Sequence, residues 1–358
     1  MSPERVSGTR QRAVELSPDA VAVRGPLRGY HHETYVIPLP GRTEAVKVRE
    51  PRAEILWFDR RCFASEEQLL LALRGEITRI PAVLDVAGMG LQMFIEGRTL
   101  GARRWTGRRV PDVILDQIVR LFREMAWIMP SRLPVPRRCD HLDRVEDGDT
   151  DGFLARLIDF IEEQVYARNQ AEFGSLFEDL GVTTESFTRL RKHVLGLRER
   201  PFCLLHADLH RENFIVDDEG GLWTIDWELA MLGDPLYDLA THLYLMRYPP
   251  GQSVRMANDW SQAVEGVRPG SSHGWQRDLP LLIDFKKAQS VFTDVIRVSL
   301  SLSDGSKTNW AALPQAARKL QRVLAAAAVP LGLMELPDRS QIMAALVRRQ
   351  RAASRPRA

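Results

Sequence analysis

The 358-residue chain has few cysteines, little net charge and no long hydrophobic run. Its three cysteines (Cys62, Cys139 and Cys203) are widely spaced, so they form no disulfide or metal-binding pattern and indicate a reducing compartment. A net charge of +2 makes nucleic acid an unexpected partner. No apolar segment approaches the roughly 18 residues of a membrane span, and residues 1–19 lack the apolar region of a signal peptide. These absences predict a soluble, cytoplasmic protein with no membrane partner.

The segment from 206 to 228 carries the residue types of phosphoryl-transfer chemistry. Asp208 and Asn213 are five residues apart, and Asp226 follows thirteen residues later. In Mg²⁺-dependent phosphoryl transfer one aspartate orients the acceptor hydroxyl and accepts its proton, while an asparagine and a second aspartate hold the metal that bridges the nucleotide phosphates. The pattern predicts Asp208 as the catalytic residue and Asn213 and Asp226 as metal ligands.

The sequence between these metal ligands predicts a β-hairpin. Residues 214–216 are a short apolar strand, 217–221 a turn and 222–225 a second strand. A hairpin would bring Asn213 and Asp226 side by side at the same end.

Two other interpretations remain open at this point. His206, Asp208 and His210 alternate along an extended segment and could ligate the metal of a hydrolase. The segment could also be an ordinary polar loop without a catalytic role. The hydrolase interpretation leaves Asn213 without a role and finds no histidine-rich cluster downstream, so the kinase interpretation is favoured because it uses every residue of the pattern.

On these residues the chain resembles the aminoglycoside phosphotransferase and choline kinase family, which is related to the protein kinases. The resemblance is carried by His-x-Asp-x-x-x-x-Asn at 206–213, Ile-Asp-Trp-Glu at 225–228 and Gly-Asp-Pro-Leu-Tyr-Asp-Leu-Ala at 233–240. It is specific over 202–244 and weaker over 22–100.

The resemblance implies an α+β class and a bilobal protein-kinase-like fold, with a small antiparallel β-sheet N-lobe, a large helical C-lobe and the nucleotide between them. It implies that His206 orients the catalytic loop, that Arg211 lies over the transferring phosphate, and that Asp234 and Asp238 support the loop. Glu228 lies either near a second metal or in a structural contact. The predicted parts are a flexible N-terminal tail (1–19), a nucleotide-binding N-lobe (20–97), a helical C-lobe (98–347) and a basic disordered tail (348–358).

Lys47 is the single lysine among the first 191 residues and lies in a β-prone segment. A lysine there can reach the α- and β-phosphates of the nucleotide, and a solvated charge on an edge strand is the alternative. Its partner is expected to be a glutamate on the next helix, with Ser65 as N-cap. The family spacing places leucines four and seven residues after that glutamate. Glu66 meets this spacing and Glu67 does not, so Glu66 is predicted.

The glycine-rich loop departs from the kinase pattern. Residues 25–34 contain no Gly-x-Gly-x-x-Gly, so the sequence gives weaker support for phosphate binding by the backbone amides of this loop. Gly29 and His31 are nevertheless predicted to contact the nucleotide. His31 and His32 either donate hydrogen bonds to phosphate, touch the acceptor, or are surface histidines on a turn.

Residues 91–100 resemble the family's hinge, where backbone groups of Met93, Phe94 and Ile95 would contact the adenine edge. Recognition of the base by backbone groups does not require particular side chains, so the sequence allows both ATP and GTP. Mg²⁺ and one of these nucleotides are the predicted cofactor and co-substrate.

The C-lobe contains one acidic run, 140–151. In an aminoglycoside kinase such a run would attract a polycationic acceptor, and the favoured alternative is a solvated loop whose aspartates cap helices. Amphipathic spacing predicts a helix over 110–129, further helices over 153–198 and a long one over 280–302. The last supplies four candidates for a wall of the acceptor pocket, namely Asp284, Lys287, Asp294 and Arg297.

The sequence therefore predicts a Mg²⁺-dependent kinase that transfers the γ-phosphate of a nucleotide to a hydroxyl of a small molecule, such as an aminoglycoside or another natural product. The second alternative is a kinase that phosphorylates Ser or Thr of a peptide, which uses the same chemistry on a different acceptor. A nucleotide-binding pseudokinase is the third alternative, but Lys47, Asp208, Asn213 and Asp226 are all present. The acceptor, a resistance or biosynthetic role, and the oligomeric state are left open.

Overall fold

The computed structural model describes residues 7–17, 19–27, 32–39, 41, 43–52, 58, 60–101, 109–139, 144–303 and 307–353. The predicted nucleotide contacts Gly29 and His31 lie outside these residues, as do Asp140 and Asp143 of the acidic run.

A five-stranded antiparallel sheet forms the N-lobe, with strand order β1-β2-β3-β5-β4. Along the central strand β3, Val46 and Val48 are buried on one face, and Lys47 and Arg49 alternate with them on the other. The five strands are β1 (Arg24–Leu27), β2 (His32–Pro38), β3 (Ala45–Pro51), β4 (Val83–Val86) and β5 (Met89–Met93).

An N-terminal helix, α1 (Gly8–Leu16), covers the apolar face of this sheet. Ala13 is 0% exposed against the face that carries Val46 and Val48, and Thr9 donates a 3.1 Å hydrogen bond to Glu50 of β3. Residues 8–16 of the predicted flexible tail therefore form a helix docked on the sheet. Its docking keeps the apolar sheet face out of water.

Helix α2 (Glu66–Leu73) connects the sheet to the C-lobe. Ser65 caps it as predicted, accepting a 3.2 Å hydrogen bond from the Gln68 amide. Leu69 and Leu73 are buried in the large core that runs through the C-lobe, so the other side of the helix, carrying Glu66, is directed at the β3 face that bears Lys47 and Arg49.

Two small sheets carry the catalytic segments. In the first, with order β6-β8-β9, strands β8 and β9 form the predicted hairpin. In the second, β7 pairs with β10. The strands are β6 (Arg98–Thr99), β7 (Cys203–Leu205), β8 (Phe214–Val216), β9 (Leu222–Thr224) and β10 (Met231–Gly233), with 3₁₀ turns at Arg211–Asn213 and Trp227–Leu229.

Helices packed around one hydrophobic core make up the rest of the C-lobe. At the centre of the core, Phe187 and Phe292 stack with ring centroids 4.4 Å apart. No helix in the described part of the chain is long and apolar enough to cross a membrane. The helices are α3 (Asp112–Trp127), α4 (Thr150–Phe160), α5 (Gln170–Asp179), α6 (Thr184–His193), α7 (Pro235–Met246), α8 (Pro250–Val267), α9 (Trp275–Leu300), α10 (Leu313–Ala326), α11 (Ala328–Leu331) and α12 (Arg339–Ala353), with a π-helical turn, Ile161–Tyr166, continuing α4.

The C-terminal segment is ordered further than predicted. Helix α12 continues to Ala353, and Arg348 forms a 2.8 Å ion pair with Asp179 while Arg349 pairs with Glu172. Residues 348–353 of the predicted disordered tail therefore belong to this helix, and two of its arginines pair with acidic residues of α5.

The acidic run serves structural roles where it is described. Asp149 caps α4 by accepting a 2.8 Å hydrogen bond from the Gly152 amide. Asp147 accepts hydrogen bonds from the Phe202 amide and the Arg268 guanidinium, and Asp151 accepts from two backbone amides at 196 and 197. Of the three, Asp149 alone caps a helix as the capping interpretation expects, while Asp147 and Asp151 bind backbone amides and an arginine of other segments.

Candidate active site

The catalytic loop brings Asp208 and Asn213 into contact. The Asn213 side-chain amide donates to the Asp208 carboxylate at 3.1 Å and to its backbone carbonyl at 2.9 Å. His210 approaches the same carboxylate, with Nε2 3.3 Å from Oδ2. Burial alone would raise the pKa of Asp208, but the hydrogen bond and charge of His210 bring it below its ordinary value. Asp208 is therefore held ionised.

His206 is fully buried and ties the catalytic loop to the metal motif. Its Nδ1 accepts a 3.3 Å hydrogen bond from the Asp208 amide, which leaves the proton on Nε2 to be donated to the Ile225 carbonyl at 3.1 Å. Burial lowers the pKa of His206 to about 4, so the ring is neutral near pH 7. One imidazole thus fixes the backbone at Asp208 and immediately before Asp226.

Asp238 of α7 fixes the start of the loop. Its carboxylate accepts hydrogen bonds from the amides of His206, at 2.9 Å, and Ala207, at 2.8 Å. Ala207 has φ +65, a left-handed conformation that an alanine rarely adopts. The two hydrogen bonds to Asp238 hold that strained residue directly before Asp208.

The hairpin places Asp226 beside Asn213. The Ile225 amide donates to the Asn213 carbonyl at 3.0 Å, and Asp226 follows with φ +67, another left-handed residue. Burial, followed by the charges of Glu66, Glu228 and Asp208, raises the pKa of Asp226 to about 7. The site thus concentrates negative charge that a cation would relieve.

The residues present fit a divalent cation shared with a nucleotide. Asn213 and Asp226 offer amide and carboxylate oxygens, which Mg²⁺ prefers, and Mg²⁺ typically takes one or two protein ligands together with substrate phosphates. Within the described residues no group of three or more His, Cys, Asp or Glu side chains forms a self-contained metal site. Both ring nitrogens of His206 are already hydrogen-bonded, which argues against the alternative site of His206, Asp208 and His210.

The titration of Asp226 yields a testable pH dependence. A pKa raised to about 7 means that the native protein binds this proton over a pH range in which the unfolded chain has released it, so the associated stability is present at low pH and is lost as pH rises through about 7. We expect wild type to lose stability relative to Asp226→Asn between pH 5 and 8, by at most about 1.4 kcal/mol per pH unit.

Urea unfolding in EDTA without nucleotide, at each pH, measures this difference. Subtracting the Asn variant removes the contributions of titrating groups that do not interact with Asp226, including His206. A difference in unfolding free energy that stayed constant from pH 5 to 8 would contradict the raised pKa.

Lys47 and Glu66 lie close together, but Glu66 is shared with other groups. Burial lowers the pKa of Lys47, and Glu66 and Asp226 are among the charges that oppose this shift. The Glu66 carboxylate pairs with Arg49 and accepts a 2.8 Å hydrogen bond from the Trp227 amide. The predicted partner Glu66 thus lies near Lys47, and the cation to which it hydrogen-bonds is Arg49, two residues along β3 on the same face.

Glu67 occupies a separate position at the same helix end. It accepts hydrogen bonds from Arg49 at 2.9 Å and from Gln92 at 3.2 Å. Glu66 is the more buried of the two, with 4% side-chain exposure against 31%. The structure therefore places Glu66, and not Glu67, at the centre of the charged cluster.

The hinge segment uses part of its backbone within the N-lobe. The amide of Met93 donates to the Ala82 carbonyl and that of Phe94 to the Ala45 carbonyl, each at 2.7 Å. These two amides are therefore engaged, and any adenine contact from this segment falls to other groups, such as the backbone of Ile95.

Comparisons with known proteins identify the family and the fold. The family model described as "Phosphotransferase enzyme family" matches residues 23–272, which is more than half of the chain. The chain belongs to this phosphotransferase family. Among solved structures, it is similar to macrolide 2'-phosphotransferase MphH from Brachybacterium faecium, at 14% identity over 89% of this chain and 95% of that one, with a TM-score of 0.50.

A choline/ethanolamine kinase family protein from Mesorhizobium loti is also similar, at 18% identity over 94% of this chain and 97% of that one, with a TM-score of 0.50. At such identities the likeness shows the fold alone. It confirms the predicted α+β, bilobal, protein-kinase-like architecture of this phosphotransferase.

Two loop residues take positions that the sequence did not indicate. Arg211, predicted over the transferring phosphate, is 3% exposed, and its Nε donates to the Met246 carbonyl at 3.1 Å beside the Tyr248 ring. We reassign it to support of the loop. His210, considered only as a metal ligand, instead contacts Asp208. Its spacing two residues after the aspartate was the available signal.

Glu228 makes structural contacts with the N-lobe side of the cleft. Its carboxylate lies 2.7 Å from Arg61 and 3.6 Å from the His32 ring. Burial lowers the pKa of His32 to about 4, so this histidine is neutral near pH 7. The contacts favour the structural interpretation of Glu228 over a metal-binding one.

Proposed function

We propose that this phosphotransferase is a Mg²⁺-dependent kinase that transfers the γ-phosphate of ATP or GTP to a hydroxyl of a small molecule. The observation that carries the proposal is the convergence of Asp208, Asn213 and Asp226. An ionised aspartate hydrogen-bonds to the asparagine, and the hairpin sets that asparagine beside a carboxyl whose pKa is raised to about 7. The proposed base, Asp208, and the proposed metal ligands, Asn213 and Asp226, therefore lie next to one another.

In this proposal each residue has one role in an in-line transfer. Asp208 orients the acceptor hydroxyl and takes its proton, while the acceptor oxygen bonds to the γ-phosphorus and the bond to the β,γ-bridging oxygen breaks, leaving the nucleoside diphosphate. Lys47 holds the α- and β-phosphates, and Asn213 and Asp226 hold Mg²⁺. When bound, Mg²⁺ neutralises charge on the phosphates. His206 and Asp238 keep the loop in position.

Lys47, Asp208, Asn213 and Asp226 are all present, whereas a pseudokinase usually lacks one or more of its catalytic residues. Their presence supports a catalytic function. The two similar structures are a macrolide phosphotransferase and a choline/ethanolamine kinase family protein. Macrolides, choline and ethanolamine are therefore candidate acceptors for a first screen.

Calorimetric titration with ATP and GTP, with and without Mg²⁺, tests the proposal. We expect Mg²⁺-dependent binding of at least one nucleotide by wild type, weakened about 100-fold or more in Asp226→Ala, a change of about 2.7 kcal/mol. Asp218→Ala, in the exposed turn of the same hairpin, is the matched control and should bind as wild type does. Absence of binding by wild type, or binding independent of Asp226, would remove the basis of the proposal.

A further inference from the structure

Two cysteines that are distant in the sequence meet just before helix α2. The Arg138 amide donates a 2.8 Å hydrogen bond to the Cys62 carbonyl. The adjoining residues, Phe63 and Arg137, form an antiparallel β-bridge. The backbone bends directly after this bridge, and Cys139 packs against the hydrophobic cluster that contains Cys62. The bridge therefore holds the two cysteines near each other.

The side chains of these two cysteines interact directly. A hydrogen bond between the Cys62 and Cys139 thiols is the largest influence on the pKa of each. Paired strands lie about 4.8 Å apart, and the Cα atoms joined by a disulfide are about 4.4–6.8 Å apart. The backbone separation at the bridge therefore suits a disulfide, although both residues are free thiols in this structure.

The two thiols differ in exposure and in their surroundings. Cys62 is 8% exposed, whereas Cys139 is half-buried and lies beside the Arg144 guanidinium. The hydrogen bond from Cys62 lowers the pKa of Cys139, burial opposes this shift, and Arg144 lowers the pKa further. The pKa of Cys62 is raised, first by the hydrogen bond and then by burial. Cys139 is thus the thiol with thiolate character and the one that an oxidant reaches first.

Cys203 provides an internal comparison. It is 2% exposed on β7, its Sγ donates to the Leu204 carbonyl at 3.4 Å, and burial raises the pKa of its thiol well above the usual value. A buried, protonated thiol is inert towards oxidants. Cys203 should therefore stay reduced under conditions that oxidise the other two cysteines.

We propose that Cys62 and Cys139 form a disulfide when a hydroperoxide reaches Cys139. Cys139 is the residue that reacts with the peroxide, and Cys62 is the residue that resolves the product. The bond ties the segment that leads into α2, the helix of Glu66, to the segment that follows α3. Thiol reductants of a reducing compartment return it to two thiols. This modification site does not depend on the proposed kinase function.

With hydrogen peroxide as the oxidant, the reaction has two steps. First, the Cys139 thiolate sulfur attacks a peroxide oxygen, the O–O bond breaks, and the hydroxide that leaves takes the Cys62 proton and becomes water. Second, the Cys62 sulfur attacks the sulfenic sulfur of Cys139. The S–S bond forms, the S–O bond breaks, and the hydroxide that leaves takes up a solvent proton. The two thiols lose two electrons, and one peroxide gains them.

Hydrogen peroxide applied to the reduced, folded chain near neutral pH tests the proposal. Remaining thiols are alkylated, and peptides are mapped by mass spectrometry without reduction. We expect a Cys62–Cys139 disulfide at least about tenfold more abundant than any linkage to Cys203, because the thiolate is the reactive form. Dithiothreitol should remove it.

The same oxidation in concentrated urea measures what the fold contributes. There the hydrogen bond and the β-bridge are lost, and pairing depends on the length of the loop that each disulfide closes. Cys62–Cys139 and Cys139–Cys203 close loops of similar length, so the two linkages should form to within about twofold of each other.

Single variants assign the two roles. Cys139→Ser should form no disulfide and leave Cys62 reduced. Cys62→Ala should stop the reaction at the sulfenic acid of Cys139, which dimedone labels. Cys203→Ala is the matched control and should form the disulfide as wild type does. Circular dichroism establishes that each variant is folded.

Four results would overturn the inference: no disulfide in the folded chain, the same product mixture with and without urea, oxidation of Cys62 in Cys139→Ser, or no disulfide in folded Cys203→Ala. If Cys62→Ala did not fold, the Cys139→Ser and urea measurements would still decide it.

Discussion

Asp208→Asn is expected to lower turnover about 10³-fold, within the 10²- to 10⁴-fold range of positioned proton transfer, while Mg²⁺–nucleotide binding stays close to that of wild type. Asparagine preserves the size of the side chain but removes both the base and the negative charge that faces His210. The metal ligands Asn213 and Asp226 are untouched, so the loss should appear in kcat and not in nucleotide affinity. Steady-state kinetics with any acceptor that wild type turns over, together with calorimetry, separates the two quantities.

Asp218→Asn is the control for this experiment, because Asp218 lies in the exposed turn of the β8–β9 hairpin. It should retain both turnover and binding. An Asp208→Asn enzyme with turnover within about threefold of wild type would show that another group accepts the proton, since general base catalysis typically contributes at least 10²-fold.

The parts of the site that could be predicted from the sequence are those in which local spacing determines geometry. The hairpin follows from two short apolar strands separated by a turn, and its pairing sets Asn213 beside Asp226. The cap at Ser65 follows from a serine directly before a helix-forming run that begins with two glutamates. In both cases the interacting residues are near neighbours in the chain, so the pattern contains the required information.

Contacts between distant segments were less predictable. Lys47 and Arg49 occupy the same face of β3, and only the position of α2 determines that Glu66 hydrogen-bonds to Arg49. Likewise the polar sequence of α1 suggests a free tail, but its docking depends on an apolar sheet face formed by later strands. The burial of Arg211 depends on Met246 and Tyr248, more than thirty residues away.

The second large effect concerns Arg200, a buried arginine that was not singled out by its sequence. Its guanidinium is 0% exposed and donates two hydrogen bonds to Asp234, both of 2.7 Å, and one of 2.8 Å to Asp278. It therefore joins the segment before β7 to the N-termini of α7 and α9. Among the described residues Asp234 has Arg200 as its ion-pair partner, whereas Asp278, also fully buried, pairs with both Arg200 and Arg277.

We expect Arg200→Ala to lower the free energy of unfolding by about 3–5 kcal/mol, the effect of leaving buried charges without their partner. Urea denaturation followed by tryptophan fluorescence measures it. Arg277→Ala is the matched control, because Arg277 also contacts Asp278, at 2.7 Å, but its side chain is 49% exposed. Such exposed pairs contribute about 0–1 kcal/mol, so equal losses in the two variants would contradict the importance assigned to burial.

Loss of Arg200 should also affect catalysis below the unfolding transition. Asp234, which Arg200 holds, caps α7 through a 2.9 Å hydrogen bond from the Leu236 amide, and Asp238 in the first turn of that helix binds the amides of His206 and Ala207. A shift of this turn would release the strained Ala207 and misplace Asp208. We therefore expect the folded fraction of Arg200→Ala to show reduced kcat with nucleotide affinity less affected, since Lys47 on β3 and Asp226 after β9 lie on other elements.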